Sequence, residues 1–272
     1  MYEEFYGLKE NPFNITPDPQ YLFLGERQRE ALARMIYGIQ ERKGFILITG
    51  EVGAGKTILI RHLLASTTVQ RNGIVRTALI FNPKLAIRNF IEYILRDLGV
   101  PVRGKSKGDL LWALNEFLLQ SYQKDERVVL IIDEAQGLKP ALLEEIRLLS
   151  NLETAKSKLL QIILVGQPEL NKTLNRYEFR QLKQRIHMRF HLPPLTEVET
   201  KAYIEKRVSV AGRQDPLFTC EAIQEIYQHS KGIPRSINIL CDNALLNGFT
   251  ADQQVIDEKC VKDAAEDLKL SL

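Results

Sequence analysis

The segment that most restricts the fold is Gly50-Glu51-Val52-Gly53-Ala54-Gly55-Lys56-Thr57, set between the strand-like run Phe45–Thr49 and a helical stretch opening at Ile58. It matches G-x-x-x-x-G-K-[ST] in the strand–loop–helix setting that the motif's chemistry needs. The glycines let backbone N–H groups turn inward around a phosphate chain, and the helix N-terminus adds partial positive charge. Lys56 would reach the β- and γ-phosphates, and the Thr57 hydroxyl would hold Mg²⁺. Gly50–Ile58 is therefore the candidate ATP-binding segment. A glycine turn that happens to end in Lys-Thr is the competing reading, and the flanking strand and helix weigh against it.

The rest of the chain repeats this alternation. Candidate strands are Phe45–Thr49, Ile74–Phe81, Val128–Ile132, Leu159–Val165 and His187–Leu192. Between them, Ile87, Phe90, Ile91, Ile94, Leu95 and Leu98 form one helical stripe, and Leu110, Leu111, Leu114, Phe117 and Leu118 another. Strands alternating with helices imply parallel βαβ units, whose buried central strands read as continuous apolar runs such as VVLII and IILV. After Pro193-Pro194 the texture changes to four amphipathic helices and no strand. The expected division is an α/β core over residues 1–193, including an N-terminal segment 1–42, and an all-α domain over 194–272.

Composition narrows the function classes. With 37 Lys and Arg against 34 Asp and Glu, the net charge of +3 excludes a histone-like polyanion binder but not a local basic face. Cys220, Cys241 and Cys260 form no CxxC pair, so neither a disulfide scaffold nor a zinc site is expected, and a reducing compartment fits. Cys241 and Cys260 lie near apolar stripes, where packing explains them. No apolar run approaches the roughly 18 residues of a membrane-spanning helix, and the acidic start MYEEFYGLKENPF is unlike a signal peptide. The expectation is a cytoplasmic chain without direct membrane insertion.

Four further positions carry chemistry. The run VVLII leads into Asp133-Glu134. Asp133, at the end of a buried strand, is the expected second Mg²⁺ contact, and Glu134 can polarise a water for in-line attack on the γ-phosphate. A kinase would not need a carboxylate aimed at water, so the pair favours hydrolysis over a solvated acidic turn. Gln167, closing the run LLQIILVG, could bridge the attacking water and the γ-phosphate; a turn residue before Pro168 is the alternative. Between Arg176 and Arg189 lie Arg180, Lys183 and Arg185 against a single acid. Such a run is either a solvated face or the source of an arginine finger reaching a neighbouring subunit's nucleotide, with Arg185 the first choice and Arg189 the second. Finally, Gly232-Ile-Pro-Arg235 opens a helix at its favoured proline position. It puts Arg235 where the helix dipole disfavours a cation, which points to an anionic partner such as the γ-phosphate; a surface arginine is the alternative.

Together, Gly50–Thr57, Asp133-Glu134, Gln167, the Arg185 region and Gly232–Arg235 resemble an AAA+ ATPase. That resemblance implies a five-stranded parallel sheet with a helical lid and the nucleotide between them. The opening FYGLKENPFNITPDP (residues 5–19), Tyr21, GERQREAL (25–32), IDEAQ (132–136), VGQPEL (165–170) and GIPRSINILCD (232–242) are similar to the GspA/ExeA (general secretion pathway protein A-like) family of secretion-associated ATPases. The similarity runs from residue 2 to about residue 268. It implies a homo-oligomer with nucleotide at subunit interfaces, a secretion-machinery protein as partner, and a place at the inner face of the inner membrane reached through that partner or a further region. Long members of the family continue into a transmembrane helix and a peptidoglycan-binding region, and cell-wall binding is not carried over to these residues.

Two readings follow, both built on ATP and Mg²⁺. The first is an oligomeric motor or switch supporting type II secretion or envelope machinery. The second is a DNA-binding ATPase of the transposition-regulator type, since those proteins share much of the DEAQ and GQPEL pattern. The basic loop Val102–Lys107 and the Arg176–Arg189 stretch speak for the second; the small net charge and the lack of a helix-turn-helix or long basic tail speak against it.

Overall fold

In a computed structural model of the chain, residues 1–15, 18–67, 74–81, 83–102, 106–155 and 157–268 are described. The centre of the basic loop, 103–105, lies outside them. Helices α1 (Tyr2–Phe5) and α2 (Glu26–Gln40) precede strand β1 (Phe45–Gly50). Helix α3 (Lys56–Thr67) leads to β2 (Val75–Ile80), and α4 (Ile87–Asp97) and α5 (Lys107–Gln123) lead to β3 (Arg127–Ile132). Then follow α6 (Pro140–Leu149), β4 (Leu160–Gly166), α7 (Glu169–Leu174), α8 (Arg180–Arg185) and β5 (Ile186–Leu192). Helices α9 (Glu197–Val210), α10 (Cys220–Ser230), α11 (Pro234–Thr250) and α12 (Glu258–Asp267) complete the described chain.

The five strands form one parallel sheet in the order β2-β3-β4-β1-β5. Each strand lies within one residue or so of the run expected for it. Buried position explains their composition: β1 and β4 are buried throughout, and β3 from Val128 onward. On the edge strand β5 only Ile186 and Leu192 are buried, so its sequence alternates, and this made it the least legible strand. Phe90, Ile91, Ile94 and Leu95 of α4, Leu110, Leu114 and Leu118 of α5, and Leu142, Leu143 and Ile146 of α6 pack into the same core. Burying each such side chain contributes about 1.5–3 kcal/mol. A capping box of Ser106 and Asp109 starts α5, and one of Thr196 and Glu199 starts α9.

The chain divides into two compact units: Gln28–Gly50 with Leu59–Leu192, and Met1–Arg27 with Glu51–Ile58 and Pro193–Leu272. Met1–Arg27, expected with the core, thus packs with α9–α12. The reason lies in its aromatic residues. Tyr2, Tyr6, Leu8, Phe13 and Tyr21 are buried among Ile204, Val208, Ile237, Cys241 and Leu245. Tyr6 donates to the Leu245 carbonyl at 3.0 Å, and both Tyr2 and Asn11 donate to Asp242 Oδ1. Arg207, buried on α9, donates to the carbonyls of Pro12 and Asn14, and its guanidinium lies 4.7 Å from the Tyr21 ring. A buried charge needs such partners. Cys241 and Cys260 are buried and unpaired, as packing residues should be.

Candidate functional site

The phosphate loop begins where β1 ends. Gly53 and Gly55 have φ of +80° and +92°, conformations that side chains with a Cβ rarely adopt. Over Gly55 a Cβ would meet nothing within 4 Å, whereas on Gly53 it would lie 2.7 Å from Arg235 Cβ. The Ala54 N–H donates to the Glu51 carbonyl at 3.1 Å, which tightens the turn. Lys56 is the first residue of α3; it is buried, and its Nζ donates to the Glu51 carbonyl at 2.8 Å. Thr57 follows it, half-buried. The first turn of α3 carries no acid, so its N-terminal N–H groups favour an anion there.

Arg235 is the second residue of α11, after Pro234, and its side chain is exposed. Its backbone N–H lies 3.4 Å from the Gly53 carbonyl. Two motifs far apart in sequence therefore meet, and the meeting puts a cationic residue beside a glycine loop. Open space over Gly55, the ammonium of Lys56 and the Arg235 guanidinium suit a polyphosphate.

The acids occupy the end of β3. Asp133 is buried and its N–H extends the ladder to the Ile80 carbonyl at 2.8 Å. Glu134 is exposed, with left-handed backbone angles of φ 52° and ψ 36°, and its N–H donates to Asp133 Oδ1 at 2.9 Å. Such a conformation costs a residue with a Cβ about 1–3 kcal/mol, and strain of this kind clusters at working sites. Gln167, just past β4, holds its Nε2 3.4 Å from Glu134 Oε2. The acid and the amide singled out from sequence are thus brought together. Gln136, which sequence reasoning gave no role of its own, joins them: it donates to Glu134 Oε2 and accepts from the Gln167 N–H at 3.0 Å.

Among the described residues no group of three or more His, Cys, Asp or Glu side chains could hold a metal ion by itself. Thr57 and Asp133 each offer a hard oxygen. Either oxygen by itself suits Mg²⁺, which commonly takes one or two protein oxygens and completes its shell with substrate phosphates and water.

Of the basic stretch, Arg185 is half-buried and the other cations are exposed. Arg185 closes α8, half-buried, and its Nη1 donates to Ser150 Oγ at 2.7 Å. Arg189, on β5, donates to the Lys183 carbonyl at 3.0 Å. Arg176, Arg180 and Lys183 are exposed, and the Arg180 guanidinium lies 4.1 Å from the ring of Tyr177, which is 80% exposed. A second cluster escaped sequence reasoning. Thr49 Oγ1 lies 3.2 Å from His191 Nδ1 and accepts from Asn171 Nδ2 at 3.3 Å, tying β1, β5 and α7 together just before Gly50. Nothing in the spacing of these three marks them. No helix among the described residues is long and apolar enough to cross a membrane.

Residues 39–174 match the family model of an AAA domain. General secretion pathway protein A of Aeromonas hydrophila is 44% identical over 92% of this chain, which spans only 45% of that relative's length. An uncharacterized HTH-type transcriptional regulator from Methanocaldococcus jannaschii is 24% identical over 97% of this chain and 74% of its own. Among solved structures, Cdc6p from Pyrobaculum aerophilum has a TM-score of 0.72 at 19% identity, over 94% of this chain and 70% of its own. The Thermotoga maritima RuvB Holliday junction branch migration motor scores 0.60 at 20% identity, over 92% and 74%. Structural likeness at these identities speaks for the fold alone. The matched AAA domain, the parallel sheet and the extensive identity to a secretion protein together place the chain in the AAA+ family of P-loop ATPases, in the branch similar to General secretion pathway protein A.

Proposed function

We propose that this chain binds ATP with Mg²⁺ and hydrolyses it, working as an oligomeric switch or motor in service of secretion or envelope machinery. The observation that carries the reading is the pairing of Glu134 with Gln167 at the ends of the neighbouring strands β3 and β4. Loop N–H groups and Lys56 Nζ hold the phosphates, the latter exchanging its Glu51 carbonyl for phosphate oxygen. Thr57 and Asp133 would hold Mg²⁺, which when bound neutralises charge on the β- and γ-phosphates. Glu134 takes the proton of a water that attacks the γ-phosphorus as the bond to the bridging oxygen of ADP breaks. The Gln167 amide orients that water, and Arg235 meets the γ-phosphate. The likeness to a secretion protein suggests the partner; a homo-oligomer in which Arg185 completes the neighbour's site is part of the same proposal.

The test is phosphate release by the parent and by Glu134→Gln. The variant keeps the shape but cannot take the proton, so it should bind ATP and turn over about 10²–10⁴-fold more slowly. Near-parental turnover would move the catalytic role elsewhere. The exposed Arg176, Tyr177, Arg180 and Lys183 support a second reading, an ATPase that assembles on duplex DNA. Strong stimulation by duplex DNA with a steep salt dependence would favour it.

A further inference from the structure

The turn Ala135–Gly137 follows Glu134, and the side chain of Gln136 reaches from it to the residue after β4. A carboxylate can only accept hydrogen bonds and a backbone N–H can only donate. The amide of Gln136 satisfies both at once: its nitrogen donates to Glu134 Oε2, and its oxygen accepts from the Gln167 N–H at 3.0 Å. Reversing the amide would set oxygen against oxygen and hydrogen against hydrogen, so the orientation is fixed by its two neighbours. The path is also kept clear. A Cβ on Gly166 would lie 2.8 Å from Gln136 Oε1 and 3.2 Å from its backbone nitrogen. The residue preceding Gln167 is thus a glycine where any side chain would displace this amide.

We propose that Gln136 is a positioning residue for ATP hydrolysis, tying the Glu134 carboxylate to the Gln167 backbone N–H so that Glu134 and the Gln167 side chain are aimed at the same water. It acts through Glu134, to whose carboxylate its amide donates. Glu134 needs such a brace because it sits exposed on a strained, left-handed backbone, where its side chain would otherwise sweep several rotamers. The inference rests on the reading of Glu134 as the group that activates water.

Two substitutions separate the functions of the amide. Gln136→Glu keeps an acceptor for the Gln167 N–H and replaces the donor to Glu134 with a like charge. Gln136→Met keeps the length and removes both polar atoms. Both should lower kcat by about 10–100-fold, the scale of a misplaced catalytic group, with the Kd for ATP within about twofold and KM unchanged. In a Glu134→Gln background, Gln136→Glu should add no further loss, because the brace then has nothing to position. Parental kcat in both Gln136 variants beside an inactive Glu134→Gln overturns the inference alone. Losses that multiply in the double variant, or that appear in KM with kcat intact, also overturn it, since they describe a structural role. Parental turnover in Glu134→Gln overturns the reading beneath it and the inference with it.

Discussion

The backbone N–H of Arg235 lies 3.4 Å from the carbonyl oxygen of Gly53, and the Arg235 Cβ occupies the space that a side chain on Gly53 would fill. The phosphate loop and the first turn of α11 are therefore fitted backbone to backbone, which leaves the guanidinium itself exposed. Arg235→Ala keeps the Cβ that packs on Gly53 and removes the guanidinium with its stem. It should weaken ATP by about 10–100-fold, the value of a hydrogen bond to a charged group, and leave ADP nearly unaffected. Titration calorimetry with both nucleotides checks this; equal losses for ATP and ADP would take Arg235 away from the γ-phosphate.

Gly53→Ala attacks the same junction from the other side. The new Cβ meets Arg235 Cβ at 2.7 Å and Ile233 Cγ2 at 3.2 Å, in a left-handed conformation that costs a further 1–2 kcal/mol or so. Affinity for ATP and ADP should fall together, and the melting temperature should drop. A variant with parental binding and melting would mean that the loop and α11 are not held in this register.

Lys56→Ala isolates the ammonium of the loop. Its loss should reduce ATP binding by about 100-fold or more, while circular dichroism stays parental because Lys56 takes no part in either hydrophobic core. Calorimetry showing undiminished affinity would disprove the phosphate assignment.

How far the sequence reaches is visible in these residues. The strand–loop–helix around Lys56 and Thr57 was legible because its parts are contiguous, and β1, β3 and β4 because burial on both faces writes an unbroken apolar run. Helical and strand periods report which side of an element is buried, not what lies against it. The partnership of Gln136 with Gln167 depends on where a short turn points a side chain and on the space above Gly166, neither of which leaves a periodic trace. The same holds for Arg185 and Ser150, and for Met1–Arg27, whose aromatics announce burial but not the α11 residues Asp242 and Leu245 that receive their hydroxyl hydrogen bonds.

Those aromatics give the chain a pH dependence. Burial pushes the Tyr6 phenol up to about 12. Tyr2 and Tyr21 are raised further, first by burial and then by the carboxylates of Asp242 and Glu10 to which they donate. A fold that holds protons more tightly than the unfolded chain keeps that stabilisation below the ordinary phenol value of 10.0 and loses it as pH rises through the folded-state values. Melting temperature should therefore fall progressively above about pH 10. Tyr21→Phe should cost about 1 kcal/mol at neutral pH and flatten the alkaline decline. Parallel decline in parent and variant would show that this phenol does not contribute.

Arg185 makes the sharpest claim about assembly. In the single chain its guanidinium rests on Ser150 Oγ at 2.7 Å and the Arg147 carbonyl at 3.5 Å, neutral partners that a phosphate could displace. If it completes a neighbour's site, specific activity should rise with protein concentration. Arg185→Ala should then lose roughly 10³-fold or more in turnover and little ATP affinity, because a finger acts on charge that develops in the transition state. Mixing two inactive proteins, Arg185→Ala and Glu134→Gln, decides between action in trans and in cis. Hybrid interfaces pair an intact Glu134 with an intact Arg185 from the other subunit, so activity should return in the mixture and in neither component. Mixtures that co-assemble yet stay inactive would confine Arg185 to its own chain, where its bond to Ser150 makes it a structural clasp of α8 on α6. Recovery with Arg189→Ala, and not with Arg185→Ala, would move the finger four residues along, onto β5.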